Sequence, residues 1–432
     1  MNRNGAVPPA PDACDGIRLT RLDNGFTIAS DAMAGVESAS LGVWVGAGTR
    51  HEPPEINGIA HLLEHMAFKG TERRSARDIS VEIESVGGHL NAYTARENTA
   101  YYARVLADDV PLALDIIADI LQHSTFEEGE LARERAVVLQ EIGQAEDTPD
   151  DIIFDRFQAA AYPAQALGRP VLGTAEIVGS MARDTIRDYM RRNYSAGRLV
   201  LTAAGKVDHD SLVEQAARVF AGLPRAAAEP PEPASYVGGD FREERDLEQV
   251  HLVLGLPGIG FTDPDYYAAT VLSTLLGGGM SSRLFQELRE KRGLVYSVYS
   301  FTSPYVDGGT FGVYAGTGES QVAELVPIVC DEIARLADTL TDEEVSRARA
   351  QLKAGILMGR ESTSSRCEQL AQQLLIYGRP VSMAETVARV EAVDAAQVAA
   401  VTRRLARGSL TLAALGPVGR LESYDAVAER LG

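Results

Sequence analysis

Cysteine is scarce in this chain. Only Cys14, Cys330 and Cys367 occur among 432 residues, an odd and scattered set that argues against a disulfide framework and fits a reducing compartment. They lack the spacing of a thiolate metal site, so a metal would have to be held by imidazole and carboxylate. Long apolar runs are missing too. No stretch approaches the roughly 18 to 20 residues of a membrane span, and residues 1–16 contain Arg3 but no apolar core of a secretory signal. Positive charge is short: 41 Lys and Arg stand against 61 Asp and Glu, a formal charge of −20. Such a surface repels nucleic acid and favours cationic partners. The expectation is a cytoplasmic protein with neither membrane nor nucleic acid as partner.

What is present is concentrated in Gly58-Ile59-Ala60-His61-Leu62-Leu63-Glu64-His65-Met66-Ala67-Phe68. On a helix, His61 and His65 leave from one face, and Glu64 projects towards it. Two neutral imidazoles and a carboxylate are what a catalytic zinc uses as ligands and base. The order H-x-x-E-H is the inverted form of H-E-x-x-H. With seven His in the chain and apolar flanks at Ile59, Leu62, Leu63, Met66 and Phe68, a chance pair on a solvated face is the weaker reading.

Around the motif, residues 17–22 and 26–30 flank the hairpin turn Asp23-Asn24-Gly25. Residues 38–46 alternate as a third strand, and the motif helix should start near Asn57. Further strands are expected at 89–94, 99–105 and 199–204, and helices at 76–86, 111–121, 126–146, 150–161 and 182–193. Residues 223–239, with Pro224, Pro230, Pro231 and Pro233, read as a linker. Beyond it the order repeats: strand 250–256, helices 265–276 and 283–292, and strands 295–301 and 309–315. Two long helices follow, the second opened by the capping box Thr341-Asp342-Glu343-Glu344, and 410–415 is the last strand. The repeat predicts an internal duplication at an offset of roughly 210 residues. The fold class is α+β, with two halves that each pack helices on a mostly antiparallel sheet. Their bounds are 17–222 for the zinc half, 223–239 for the linker and 240–432 for a half that carries Val271-Leu272-Ser273-Thr274-Leu275 where the first has its motif.

A catalytic zinc usually takes three protein ligands. Glu134 and Glu141 share one face of the 126–146 helix, and spacing alone does not choose between them. Gly277-Gly278-Gly279 lacks the order of a phosphate or dinucleotide loop and reads as a flexible loop. Arg289, by composition, is one charge on a mixed-charge helix.

The H-x-x-E-H helix, with Glu141 standing 76 positions past His65 (141 − 65), resembles the pitrilysin-type zinc metallopeptidases. Within them the chain is most similar to the branch of mitochondrial processing peptidase and its bacterial relatives. Gly87-Gly88-His89-Leu90-Asn91-Ala92-Tyr93-Thr94, Leu139-Gln140-Glu141-Ile142, Leu167-Gly168-Arg169-Pro170, Leu172-Gly173 and the 276–285 glycine loop carry the same likeness. The resemblance implies one Zn2+ per chain on His61, His65 and Glu141, with Glu64 as base for the attacking water and Glu134 holding a ligand or the water. It implies that Arg289 and Tyr296 stabilise the oxyanion, acting in trans across a homodimer whose two bowl-shaped chains close a chamber. It further implies that Asn91, Ala92 and Tyr93 accept an extended peptide by strand addition. Asp151 and Asp155 align with acidic residues that read an Arg near the cleaved bond, Asp151 being shorter than the Glu usual there. The implied function is a zinc endopeptidase acting on extended, unfolded or basic peptides, Arg-containing ones included. A non-catalytic peptide-binding or assembly subunit of the same fold is the competing reading.

Overall fold

The computed structural model describes residues 16–225 and 230–431. The expected N-terminal lead with Cys14, and residues 226–229 of the expected linker, lie outside the described residues.

Period-two alternation gives each strand a core face, and the strands assort into two sheets. The first contains β1 (Ile17–Arg21), β2 (Thr27–Ala32), β3 (Ser38–Val45), β4 (His89–Thr94), β5 (Thr99–Leu106) and β6 (Leu199–Gly205). Their order is β1-β2-β6-β3-β5-β4, antiparallel except where β2 meets β6. The second contains β7 (Gly239–Glu244), β8 (Val250–Pro257), β9 (Val295–Pro304), β10 (Gly309–Thr317) and β11 (Thr411–Gly416), in the order β7-β11-β8-β10-β9. Only β7 and β11 run parallel there. Set side by side, β2-β6-β3-β5-β4 and β7-β11-β8-β10-β9 have one order and one parallel pair at the same place. The repeated element order in the sequence is therefore a repeated sheet topology.

One face of each sheet is packed with helices of its own half. The opposite faces are covered by exchange. Helix Pro149–Ala161 of the first half lays Ile152, Ile153 and Phe157 on Val253, Tyr314, Ala413 and Leu415 of the second sheet. In return, helix Thr363–Tyr377 lays Cys367, Leu370, Ala371 and Leu374 on Ala29, Trp44, Ala100, Val200 and Ala204 of the first. Burial of apolar surface thus ties the halves together in both directions.

The motif helix runs Ile59–Ala67, starting within two residues of the expected Asn57, and the acidic helix runs Glu128–Glu146. The helix expected at 283–292 is present from 283 to 290, and its last six residues, Phe285–Glu290, are wound as a π-helix that closes with Lys291 N–H reaching back to Gln286 O. No helix among the described residues is long and apolar enough to cross a membrane.

Candidate metal centre

The motif helix is apolar on the side facing the sheet, where Ile59, Leu62, Leu63 and Met66 are fully buried. That packing fixes its rotation and turns His61 and His65 towards the acidic helix. Its N-terminus is held by a buried side chain rather than by an ordinary cap. Glu52 accepts hydrogen bonds from Gly58 N (2.8 Å), Ala60 N (2.8 Å) and Asn57 Nδ2 (2.8 Å). Burial pushes its carboxyl up to about 7 against the pull of those three donors. Gly58, at φ 93°, lies so close to Gly173 that a Cβ on it would sit 2.8 Å from Gly173 Cα. The Leu172-Gly173 motif is thus a seat for the start of the metal helix.

Three ligand atoms converge beyond that seat. Glu141 Oε2 lies 3.5 Å from His65 Nε2 and 3.7 Å from His61 Nε2. Among the described residues, His61, His65 and Glu141 are the one group of His, Cys, Asp and Glu placed to share a cation. These separations exceed hydrogen-bond length. They match the edge of a tetrahedron, about 3.4 Å for ligands held at about 2.1 Å from zinc. Burial, and then the neighbouring His65, lower the His61 pKa to about 4, so its ring is the neutral, ligating form. Its Nδ1 is buried without a hydrogen-bond partner. The donor set fits a zinc ion.

The two carboxylates that spacing left equivalent are separated by geometry. Glu141 faces both Nε2 atoms and is 38% exposed, whereas Glu134 is 7% exposed and meets His65 from behind, its Oε2 3.1 Å from Nδ1. Glu64 completes the cluster. Its Oε2 accepts a 2.6 Å hydrogen bond from Thr94 Oγ1 at the end of β4. Burial raises its pKa, opposed by that hydrogen bond. Thr94 and Glu52 were not singled out from sequence, although Thr94 closes the Asn91-Ala92-Tyr93-Thr94 motif.

The other expected site residues are dispersed. Asn91, Ala92 and Tyr93 lie on β4, the outer strand of its sheet. The Tyr93 hydroxyl accepts from Trp44 Nε1 (3.2 Å) and donates to Glu368 (3.1 Å), so this side chain belongs to the seam with helix Thr363–Tyr377. Asp151 is exposed near the start of helix Pro149–Ala161. Asp155, one turn on, accepts from Arg96 Nη2 at 3.0 Å and is already paired within the chain. Arg289 stacks on Phe285, and Tyr296 stands 68% exposed on the outer strand β9. Among the described residues, neither makes a hydrogen bond or ion pair with His61, Glu64, His65 or Glu141.

Residues 27–175 match the family model of insulinase, peptidase family M16, and residues 180–352 match the model of the peptidase M16 inactive domain. The chain is 43% identical over 425 residues to a protein of Streptomyces coelicolor named as an uncharacterized zinc protease, covering 95% of this chain and 93% of that one. It is 39% identical over 423 residues to the probable mitochondrial-processing peptidase subunit beta of Arabidopsis thaliana, covering 94% of this chain and 80% of that one. A chain in the solved structure of complex III2 from Candida albicans, Inz-5 bound, shares the fold at a TM-score of 0.85 and 22% identity, over 96% of this chain and 99% of that one. The chain belongs to the insulinase family, peptidase family M16, as a pitrilysin-type metallopeptidase of the mitochondrial processing peptidase-like branch.

Proposed function

We propose that this chain is a cytoplasmic zinc endopeptidase that cleaves extended, unfolded or basic peptides inside a homodimeric chamber. The observation that carries it is the convergence of His61 Nε2, His65 Nε2 and Glu141 Oε2 beside a buried, Thr94-bonded Glu64. Zinc bound there, one ion per chain, supplies a Lewis acid for the peptide carbonyl and lowers the pKa of a water. Glu64 takes a proton from the attacking water as oxygen bonds to the carbonyl carbon. It returns that proton to the amine nitrogen as the C–N bond breaks. Glu134 keeps His65 oriented. Because Thr94 ends β4, a peptide added along Asn91, Ala92 and Tyr93 would pass its backbone beside Glu64. Asp151, assisted by an Asp155 shared with Arg96, would read an Arg two residues before the cleaved bond.

Cleavage of a mixed library of unfolded peptides tests the reading. The zinc-supplied chain should cut internally and favour Arg two residues before the bond, and Asp151→Asn with Asp155→Asn should lower the ratio of Arg to Ala peptides cut. An inert library would contradict the peptidase, and an unchanged ratio would contradict the Arg subsite.

Among the described residues, Arg289 and Tyr296 make no hydrogen bond or ion pair with the metal cluster of their own chain, and their oxyanion role is proposed in trans. Chains with Glu64→Gln, mixed with chains carrying Tyr296→Phe, should regain activity, because each heterodimer then holds one intact site. Heterodimers verified by differential tags that stay as inactive as the parents would exclude the trans arrangement.

A further inference from the structure

His61 and His65 are succeeded, at the same four-residue step, by Lys69. This residue lies two positions past the end of the motif helix, in its closing turn, where Lys69 N–H donates to Met66 O. A four-residue step keeps side chains on one helix face. Lys69 Nζ lies 2.8 Å from Glu134 Oε1, while the other oxygen of that carboxylate, Oε2, lies 3.1 Å from His65 Nδ1. One carboxylate is therefore gripped from both sides by the same helix turn.

Among the described residues, Lys69 is the only Lys or Arg within ion-pair distance of Glu134. Leu131 and Val138, on the same face of the acidic helix, are fully buried, and Glu134 between them is itself buried. The nearby Arg133 is turned outward to Glu130, and Arg135 is bonded to the Met181 carbonyl. A carboxylate in such a place needs a partner for its charge and one for each oxygen. Lys69 supplies the first and fixes the carboxylate plane, so Oε2 faces the imidazole. That orientation in turn keeps His65 Nε2 aimed at Glu141 and His61.

We propose that Lys69 is a positioning residue for the metal ligand His65, acting through Glu134 and touching neither the ion nor the substrate. This rests on the zinc reading above. Outer partners of metal ligands typically contribute 10- to 100-fold in affinity, and Lys69 stands one step further out, so about tenfold is expected.

The test uses the full chain and zinc itself. Zinc affinity is read by competition with a chromophoric chelator, and the site is read separately by the visible spectrum of the Co2+-loaded protein. Lys69→Met should weaken zinc binding about tenfold and shift the cobalt spectrum, while Lys69→Arg stays close to wild type. In a Glu134→Gln background, Lys69→Met should change neither readout, because its route to His65 is already cut. That background also serves if Lys69→Met alone does not fold. Wild-type affinity in Lys69→Met, or a further full loss on top of Glu134→Gln, would overturn the proposal while leaving the zinc site standing. A wild-type chain that binds no zinc would overturn the zinc reading itself.

Discussion

Replacing Glu64 with Gln should leave the chain folded and zinc-loaded yet lower kcat/KM by about 10³-fold. The substitution keeps shape and volume. The Gln carbonyl oxygen can still accept from Thr94 Oγ1, which holds Glu64 Oε2 at 2.6 Å, and His61, His65 and Glu141 are untouched. What is lost is a carboxylate able to take a proton and give it back. A base used only as the water attacks should depress kcat far more than it raises KM. Steady-state kinetics on one good library peptide, with metal content measured on the same preparation, checks this. A loss below tenfold would mean that the proton goes elsewhere, and a loss of zinc would mean that Glu64 is a ligand rather than the base.

The second large effect is on stability. Arg50→Met should lower the unfolding free energy by about 3 kcal/mol, the low end of the usual range for breaking a buried ion pair. The Arg50 side chain is 0% exposed and lies where both halves and the linker meet. It donates to Glu97 Oε1 at 2.6 Å, to Asp307 Oδ2 at 2.7 Å and to the Glu232 carbonyl at 2.7 Å. Asp307 belongs to the loop between β9 and β10, and Glu97 also accepts from Val306 N there (3.1 Å). Met fills much of the same space but takes the cation from two carboxylates, leaving Glu97 with Val306 N and Asp307 with Ala234 N, and removes a donor from the Glu232 carbonyl. Asp307 is 38% exposed and can turn to water, which places the estimate at the low end. Urea unfolding of wild type and variant measures the difference. A change under about 1 kcal/mol would assign Arg50 the weight of a surface pair.

Elements with local rules were legible in the sequence. The β1–β2 hairpin is written in Asp23-Asn24-Gly25, and the metal helix in the four-residue step from His61 to His65. Elements whose character comes from a distant partner were not. β7 reads Gly-Asp-Phe-Arg-Glu-Glu, too charged to announce a strand, and it exists because β11 accepts it as a parallel outer neighbour. Helix Thr363–Tyr377 opens on Thr-Ser-Ser and carries Gln at 369, 372 and 373, so its apolar side has meaning only against the other half's sheet. The same holds within the site. Spacing put Glu134 and Glu141 on one face, and only the packing of two helices shows that one looks at Nε2 and the other at Nδ1. The pairing of Asp155 with Arg96, 59 residues away, is made by the fold and has no local signal in the sequence. The charge-bearing residues that support the site, Glu52 and Lys69, carry no local signal, because acids and lysines usually belong to solvated faces.

Zinc bound per chain, measured by elemental analysis after dialysis against metal-free buffer, tests the metal centre most directly. The wild-type chain should retain one zinc, and Glu141→Ala, which removes the third converging ligand atom, should retain little or none. A zinc-free wild-type chain, or a Glu141→Ala chain that holds its zinc as tightly as wild type, would contradict the ligand set on which the chemistry rests.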